Sequence, residues 1–117
     1  MSITVNLRYK GKNGNARKFA EEMISSGTVE KIRAEKGNLR YEYYIPFKEI
    51  ASGAAAEDEI LLIDSWENQE AIDVHHASPM MKTIAELRDK YDLHMTVERF
   101  VSDESGVPES DKEFIRK

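Results

Sequence analysis

A chain of 117 residues with 40% hydrophobic and 33% charged residues suits one domain with a sizeable core and is too apolar for a disordered segment. A net charge of −5 without a basic run argues against an unaided nucleic-acid partner, and the lack of cysteine excludes disulfides, thiolate metal sites and cysteine nucleophiles. No apolar run approaches the roughly 20 residues of a membrane span, and the chain opens directly into a strand pattern, so a cytoplasmic protein without membrane contact is expected.

Ile3, Val5, Leu7 and Tyr9 alternate with Thr4, Asn6, Arg8 and Lys10, the period of a half-buried strand. Gly11 and Lys12-Asn13-Gly14 end it, with Asn13 or Asn15 as the expected cap of a helix. Ala16, Phe19, Ala20, Met23 and Ile24 then keep helical spacing, and after Ser25-Ser26-Gly27 a short helical segment begins at Thr28. Leu39 to Ile45 is rich in strand formers, and Pro46 limits its pairing. Lys48 to Asp58 reads as a loop or loose turn. Ile60 to Ile63 is apolar on both faces, which predicts a central strand covered on both sides. Asn68 caps one further helix, and Ser78 with Pro79 at the first helical position starts another that runs to about Tyr91. Leu93, Met95 and Val97 give the last strand its apolar face. Residues 1–102 form the expected domain, and 103–117 a polar arm or tail.

The order β-α-β-β-α-β fits the ferredoxin-like split α+β fold, an antiparallel sheet with helices on one face. Helices on one face leave the other bare. The two-sided hydrophobicity of residues 60–63 therefore calls for a second cover.

Period two places Trp66, the only tryptophan, on one strand face with Asp64, Leu62 and Ile60. It reads either as an aromatic plug or as a pocket wall. Asn6 points opposite to Ile3, Val5 and Leu7. There a neutral amide can orient a substrate oxygen or O₂, or simply bond loop backbone or water. His75 lies on the inward side of its helix and can accept a phenolic proton near neutral pH; a histidine at a helix C-terminus also complements the helix dipole. His76 diverges from it by about 100° and is not expected in the same compact site. His94 shares a strand face with Thr96, Glu98 and Phe100 and is a second candidate base. Tyr41 and Tyr43 share one face, Tyr44 takes the other, and Glu86, Arg88, Asp89 and Lys90 read as a solvated helix face. No His/Asp/Glu set has metal-motif spacing, so no metal is expected.

Asn6, the segment Gly37-Asn38-Leu39-Arg40-Tyr41, and Trp66 followed by His75 and Ser78-Pro79 together resemble the antibiotic-biosynthesis-monooxygenase family over about residues 3 to 101. The resemblance implies a dimeric α+β barrel and a cofactor-independent, quinol-monooxygenase-like oxidation of a small aromatic by O₂. It makes Asn6, Trp66 and His75 the catalytic candidates, with Arg8, Asp64, His94 and Tyr41 as substrate-binding candidates. The heme-degrading branch uses an Asn, a Trp and an iron-ligating His; aligned on Ser78-Pro79 and Lys82, that His falls on Ala85, which cannot bind iron. Two other readings stay open, a non-catalytic ligand-binding or regulatory dimer and a proton-transfer enzyme using the same pocket.

Overall fold

The computed structural model describes residues 2–47 and 58–103. Strands β1 (Ile3–Lys10), β2 (Asn38–Tyr44), β3 (Glu59–Trp66) and β4 (His94–Val101) form an antiparallel sheet in the order β2-β3-β1-β4. Helices α1 (Asn15–Ser25) and α2 (Thr28–Arg33) carry the chain from β1 to β2; α3 (Gln69–His76) and α4 (Pro79–Lys90) carry it from β3 to β4. This is the expected ferredoxin-like α+β arrangement, with each crossover divided into two helices. Gly27, at φ +80°, makes the first division, and Ser78 with Pro79 makes the second. Most of the expected 48–58 loop and C-terminal arm lie outside the described residues. No helix among them is long and apolar enough to cross a membrane.

The expected cap of α1 is corrected. Its N-cap is Gly14, at φ 77°, with no side-chain cap from Asn13 or Asn15. Instead the Asp58 Oδ1 accepts from the Gly14 N–H at 2.9 Å, while Asn15 Nδ2 donates to the Tyr91 carbonyl at 3.1 Å. A carboxylate from a distant segment thus takes the place of the local amide at the positive end of the helix. Asn68 does cap α3, accepting from the Ala71 N–H at 2.9 Å.

β3 lies between β2 and β1, as its apolar run required. Paired residues of neighbouring strands share a face. Val5 pairs with Asp64 and Leu7 with Leu62, while Asn6 pairs with Ile63 on the other side. The helices cover the first face. Phe19, Met23, Ile32, Ile72 and Ile84 pack there on Tyr9, Ile60, Leu62 and Trp66, and all nine side chains are almost wholly buried. Burying a large apolar side chain is worth about 1.5–3 kcal/mol, so this layer dominates the stability of the fold. Leu61 and Ile63, on the opposite face, are only partly buried. The helices do not reach over β4, every residue of which is exposed.

One turn sets the position of α3. Gly37 has φ +86°, and a Cβ there would come within 2.6 Å of the Ala71 Cβ. Its carbonyl also accepts from the Glu67 N–H at 2.8 Å. Glycine is required both for the backbone conformation and for the close approach.

Candidate active site

Between the helix-covered face of the sheet and the uncovered β4 lies a cavity of about 250 Å³. Val5, Leu7 and Leu62 give it an apolar floor, and Ile72, Met81 and Ile84 line it from the helices. Asp64, Trp66, His75, His76, Arg88 and Arg99 bring the polar groups. A row of paired residues crosses all four strands on this face: Tyr41 on β2, Asp64 on β3, Val5 on β1 and Arg99 on β4.

Asp64 is buried, and its Oδ1 accepts a hydrogen bond from the Trp66 Nε1 at 2.5 Å. The two residues are neighbours on one face because they are two apart in a strand. Burial pushes the Asp64 carboxyl up to about 7; the nearby Glu35 adds to the rise and the Trp66 N–H opposes it. Desolvation of the anion outweighs a single hydrogen bond to it. The result is a carboxyl that exchanges its proton near neutrality.

His75, 3% exposed, comes from the last turn of α3. Its Nδ1 lies 2.7 Å from the Glu35 Oε1, and its ring stacks on the Trp66 indole with centroids 4.7 Å apart. Glu35 therefore fixes the ring through Nδ1, and no hydrogen bond among the described residues engages Nε2. The His76 ring is 5.8 Å from that of His75 and lines the same cavity, so the expectation that the two histidines do not share one site is corrected. Burial holds the His76 imidazole below its usual value, and the neighbouring His75 ring and the positive charges of Arg99 and Arg88 act in the same direction.

Arg88 also departs from expectation. Its Nε and a terminal nitrogen donate to the buried Tyr9 hydroxyl at 3.1 and 2.7 Å. Burial raises the Tyr9 phenol, against the lowering effect of Arg88, and burial likewise raises Tyr41 well above the usual tyrosine range. Both phenols stay protonated at neutral pH. Arg33 donates twice to the Tyr41 carbonyl, at 2.9 and 2.7 Å, which ties α2 to β2 beside the cavity.

Of the residues singled out in the sequence, Trp66, His75, Asp64 and Tyr41 come together at this cavity. Asn6, Arg8 and His94 lie on the opposite face of the sheet. A pocket lined jointly by Asn6 and Trp66 does not form, because Asn6 has the parity of Ile63 rather than of Asp64. The Asn6 Oδ1 is buried there without a hydrogen-bond partner, and Arg8 pairs with Glu98 across 3.5 Å. Arg88 and Arg99 had a signal that sequence reasoning passed over. Arg88 stands four residues after Ile84 on the apolar stripe of α4, and Arg99 continues the alternation of Met95 and Val97. Glu35 had none, since its reach to His75 across 40 positions is a product of the tertiary fold.

A family model described as antibiotic biosynthesis monooxygenase matches residues 2–87. Comparison with curated proteins gives no match. The fold is similar to that of a Deinococcus radiodurans protein named as a candidate antibiotic biosynthesis monooxygenase, with a TM-score of 0.70, 15% identity, and 90% of this chain and 95% of that one covered. It is also similar to a mutant form of SnoaB, a cofactor-independent oxygenase from Streptomyces nogalater, with a TM-score of 0.68, 12% identity and coverage of 90% and 96%. A conserved protein from Methanosarcina mazei gives 0.70, 16%, 88% and 94% for the same measures.

Proposed function

The chain belongs to the antibiotic biosynthesis monooxygenase family, and from that premise we propose that its cavity oxidises a small phenol or quinol with O₂ and no bound cofactor. The observation that carries this reading is Asp64, a carboxyl titrating at about 7, buried in an apolar cavity and aimed by the Trp66 N–H. A base whose pKa matches the working pH removes a phenolic proton most effectively. His75 Nε2 is the second acceptor in reach of the cavity, with Glu35 stabilising the imidazolium that would form.

The step balances without an added oxidant or reductant. Asp64 takes the hydroxyl proton, and the phenolate passes one electron to O₂. Superoxide and the phenoxyl radical then join at a ring carbon that bears hydrogen, ortho or para to the oxygen. The O–O bond breaks as that carbon becomes a carbonyl, and the ring hydrogen leaves with the distal oxygen and the returned proton as water. Phenol and O₂ become quinone and water. The apolar floor keeps bulk water from the anion.

A homodimer belongs to the same proposal. What supports it is the open sheet face, where Leu61 and Ile63 are half-covered, Phe100 is 53% exposed and the Asn6 amide oxygen has no partner. A second copy on this face would cover the apolar side chains and leave the cavities on the far side of each sheet.

The test is oxygen uptake with a panel of phenols and quinols after dialysis and chelation. Uptake that Asp64→Asn lowers by about 100-fold or more is the expected result. Tight binding across the panel with no uptake would instead favour a non-catalytic ligand-binding protein.

A further inference from the structure

We propose that Arg88 and Arg99 form an anion subsite at the mouth of the cavity, so that the aromatic ligand it selects carries a carboxylate. The inference rests on the reading above only in taking this cavity as the place where the aromatic ring binds.

The chain has a net charge of −5, and several of its basic side chains stand beside carboxylates. Arg8 meets Glu98, Arg17 meets Glu21, Arg40 meets Glu42 and Lys90 meets Glu22. The two arginines of the cavity do not. Arg88 donates to the neutral Tyr9 hydroxyl, and a terminal nitrogen of Arg99 donates to the neutral Gln69 Oε1 at 2.7 Å. A guanidinium has five N–H donors in a planar fork, so each retains donors that no described acceptor engages. These bonds fix the orientation of both side chains without neutralising either.

The positive field they leave is felt locally. The His76 cation is disfavoured by both arginines, after burial and His75, with Asp73 opposing. An entering anion would meet two guanidinium groups that no carboxylate among the described residues neutralises. Bidentate carboxylate binding is the interaction that this donor geometry fits best.

The placement also gives a length. Arg99 and Asp64 belong to one row across the sheet, separated by Val5. Two strand spacings put their backbones roughly 10 Å apart on one face. A single aromatic ring bridges such an interval with its hydroxyl toward Asp64 and its carboxylate toward the arginines. Val5 and Leu7 lie beneath it. A hydroxyaryl carboxylate is the substrate class that meets Asp64 and the two arginines at once.

Calorimetric titration of the full-length protein with 3,4-dihydroxybenzoate, its methyl ester and catechol tests this. The acid should bind about tenfold or more tightly than the ester, and added salt should narrow the difference. Arg99→Gln should remove most of that preference by weakening the acid far more than the ester, and Arg99→Lys should restore part of it. Arg88→Gln should act alike, and because Arg88 also supports Tyr9, Arg99→Gln decides if the Arg88 variant does not fold. Equal affinity for acid and ester in the unaltered protein overturns the proposal, as does a preference that survives both Gln replacements. The two readings separate cleanly in the same experiment. A preference for the acid without oxygen uptake by any phenol keeps the subsite and removes the oxygenase, whereas uptake with acid and ester bound equally does the reverse.

Discussion

The imidazole of His75 lies against the indole of Trp66, ring centroids 4.7 Å apart and planes inclined by 29°. The same indole donates to Asp64, and the same imidazole is held by Glu35. Four residues from three separate segments thus fix one another, and a change in any of them moves the others.

Replacing His75 should therefore be felt first as stability. His75→Ala removes a buried ring from the face of Trp66 and leaves the Glu35 carboxylate, with a side chain only 13% exposed, without its partner. A loss of about 2–4 kcal/mol is expected in urea unfolding. Glu35→Gln, which keeps a hydrogen-bonding oxygen at the same place, should cost about 1 kcal/mol. Equal losses for the two would show that the ring contributes nothing by packing.

Asp64 makes stability depend on pH in a defined window. Its folded value of about 7 stands above the ordinary value of 3.8, so the folded state holds the proton more tightly than the unfolded chain. Below 3.8 both states are protonated and the contribution is fully present. As pH rises toward about 7 the unfolded chain ionises first and stability falls, by an amount on the order of 4 kcal/mol at most. Above that pH the penalty is constant. Asp64→Asn keeps an acceptor for Trp66 and should flatten this part of the stability–pH curve. An unchanged slope would mean that another group carries it.

Gly37→Ala should destabilise by about 2 kcal/mol or more, since it forces a side chain onto a φ of +86° and a Cβ into the Ala71 methyl. Relief comes by moving α3, so Trp66 fluorescence should change along with the melting temperature. A neutral substitution would show that the turn has room to yield.

Ile63→Lys places a charge in the middle of the open sheet face. Light scattering at micromolar concentration should give twice the chain mass for the unaltered protein and the chain mass for this variant, with the cavity's ligand affinity unchanged. A monomer in both cases would remove the dimer from the proposal.

The fold was legible because hydrophobic periodicity changes from two to helical spacing and back at each boundary, and those periods express which faces are buried. The start of α1 was misread for a physical reason: the nearby asparagines looked sufficient, but Asp58, brought in by the fold, holds the Gly14 N–H. Half of the candidate site could be read in the same way, since Asp64 and Trp66 share a strand face by counting alone. Arg88 was hidden by its chemistry, as a charged residue on an otherwise apolar helix stripe is easily assigned to solvent. Glu35 could not have been found, because nothing within a few positions of it specifies His75. The placing of Asn6 beside Trp66 failed on parity, which family likeness does not override.

That parity has a consequence for how the protein can vary. β1 carries two interleaved messages: Ile3, Val5, Leu7 and Tyr9 face the helices, and Thr4, Asn6 and Arg8 face away. The sheet is a single layer, thin enough for one strand to serve both sides yet dense enough to insulate them. Substitutions at alternate positions should consequently sort into two sets with separate phenotypes, one altering ligand affinity and the other association. A one-residue insertion inside β1 would be different in kind from any substitution, because it would exchange both sets in a single event.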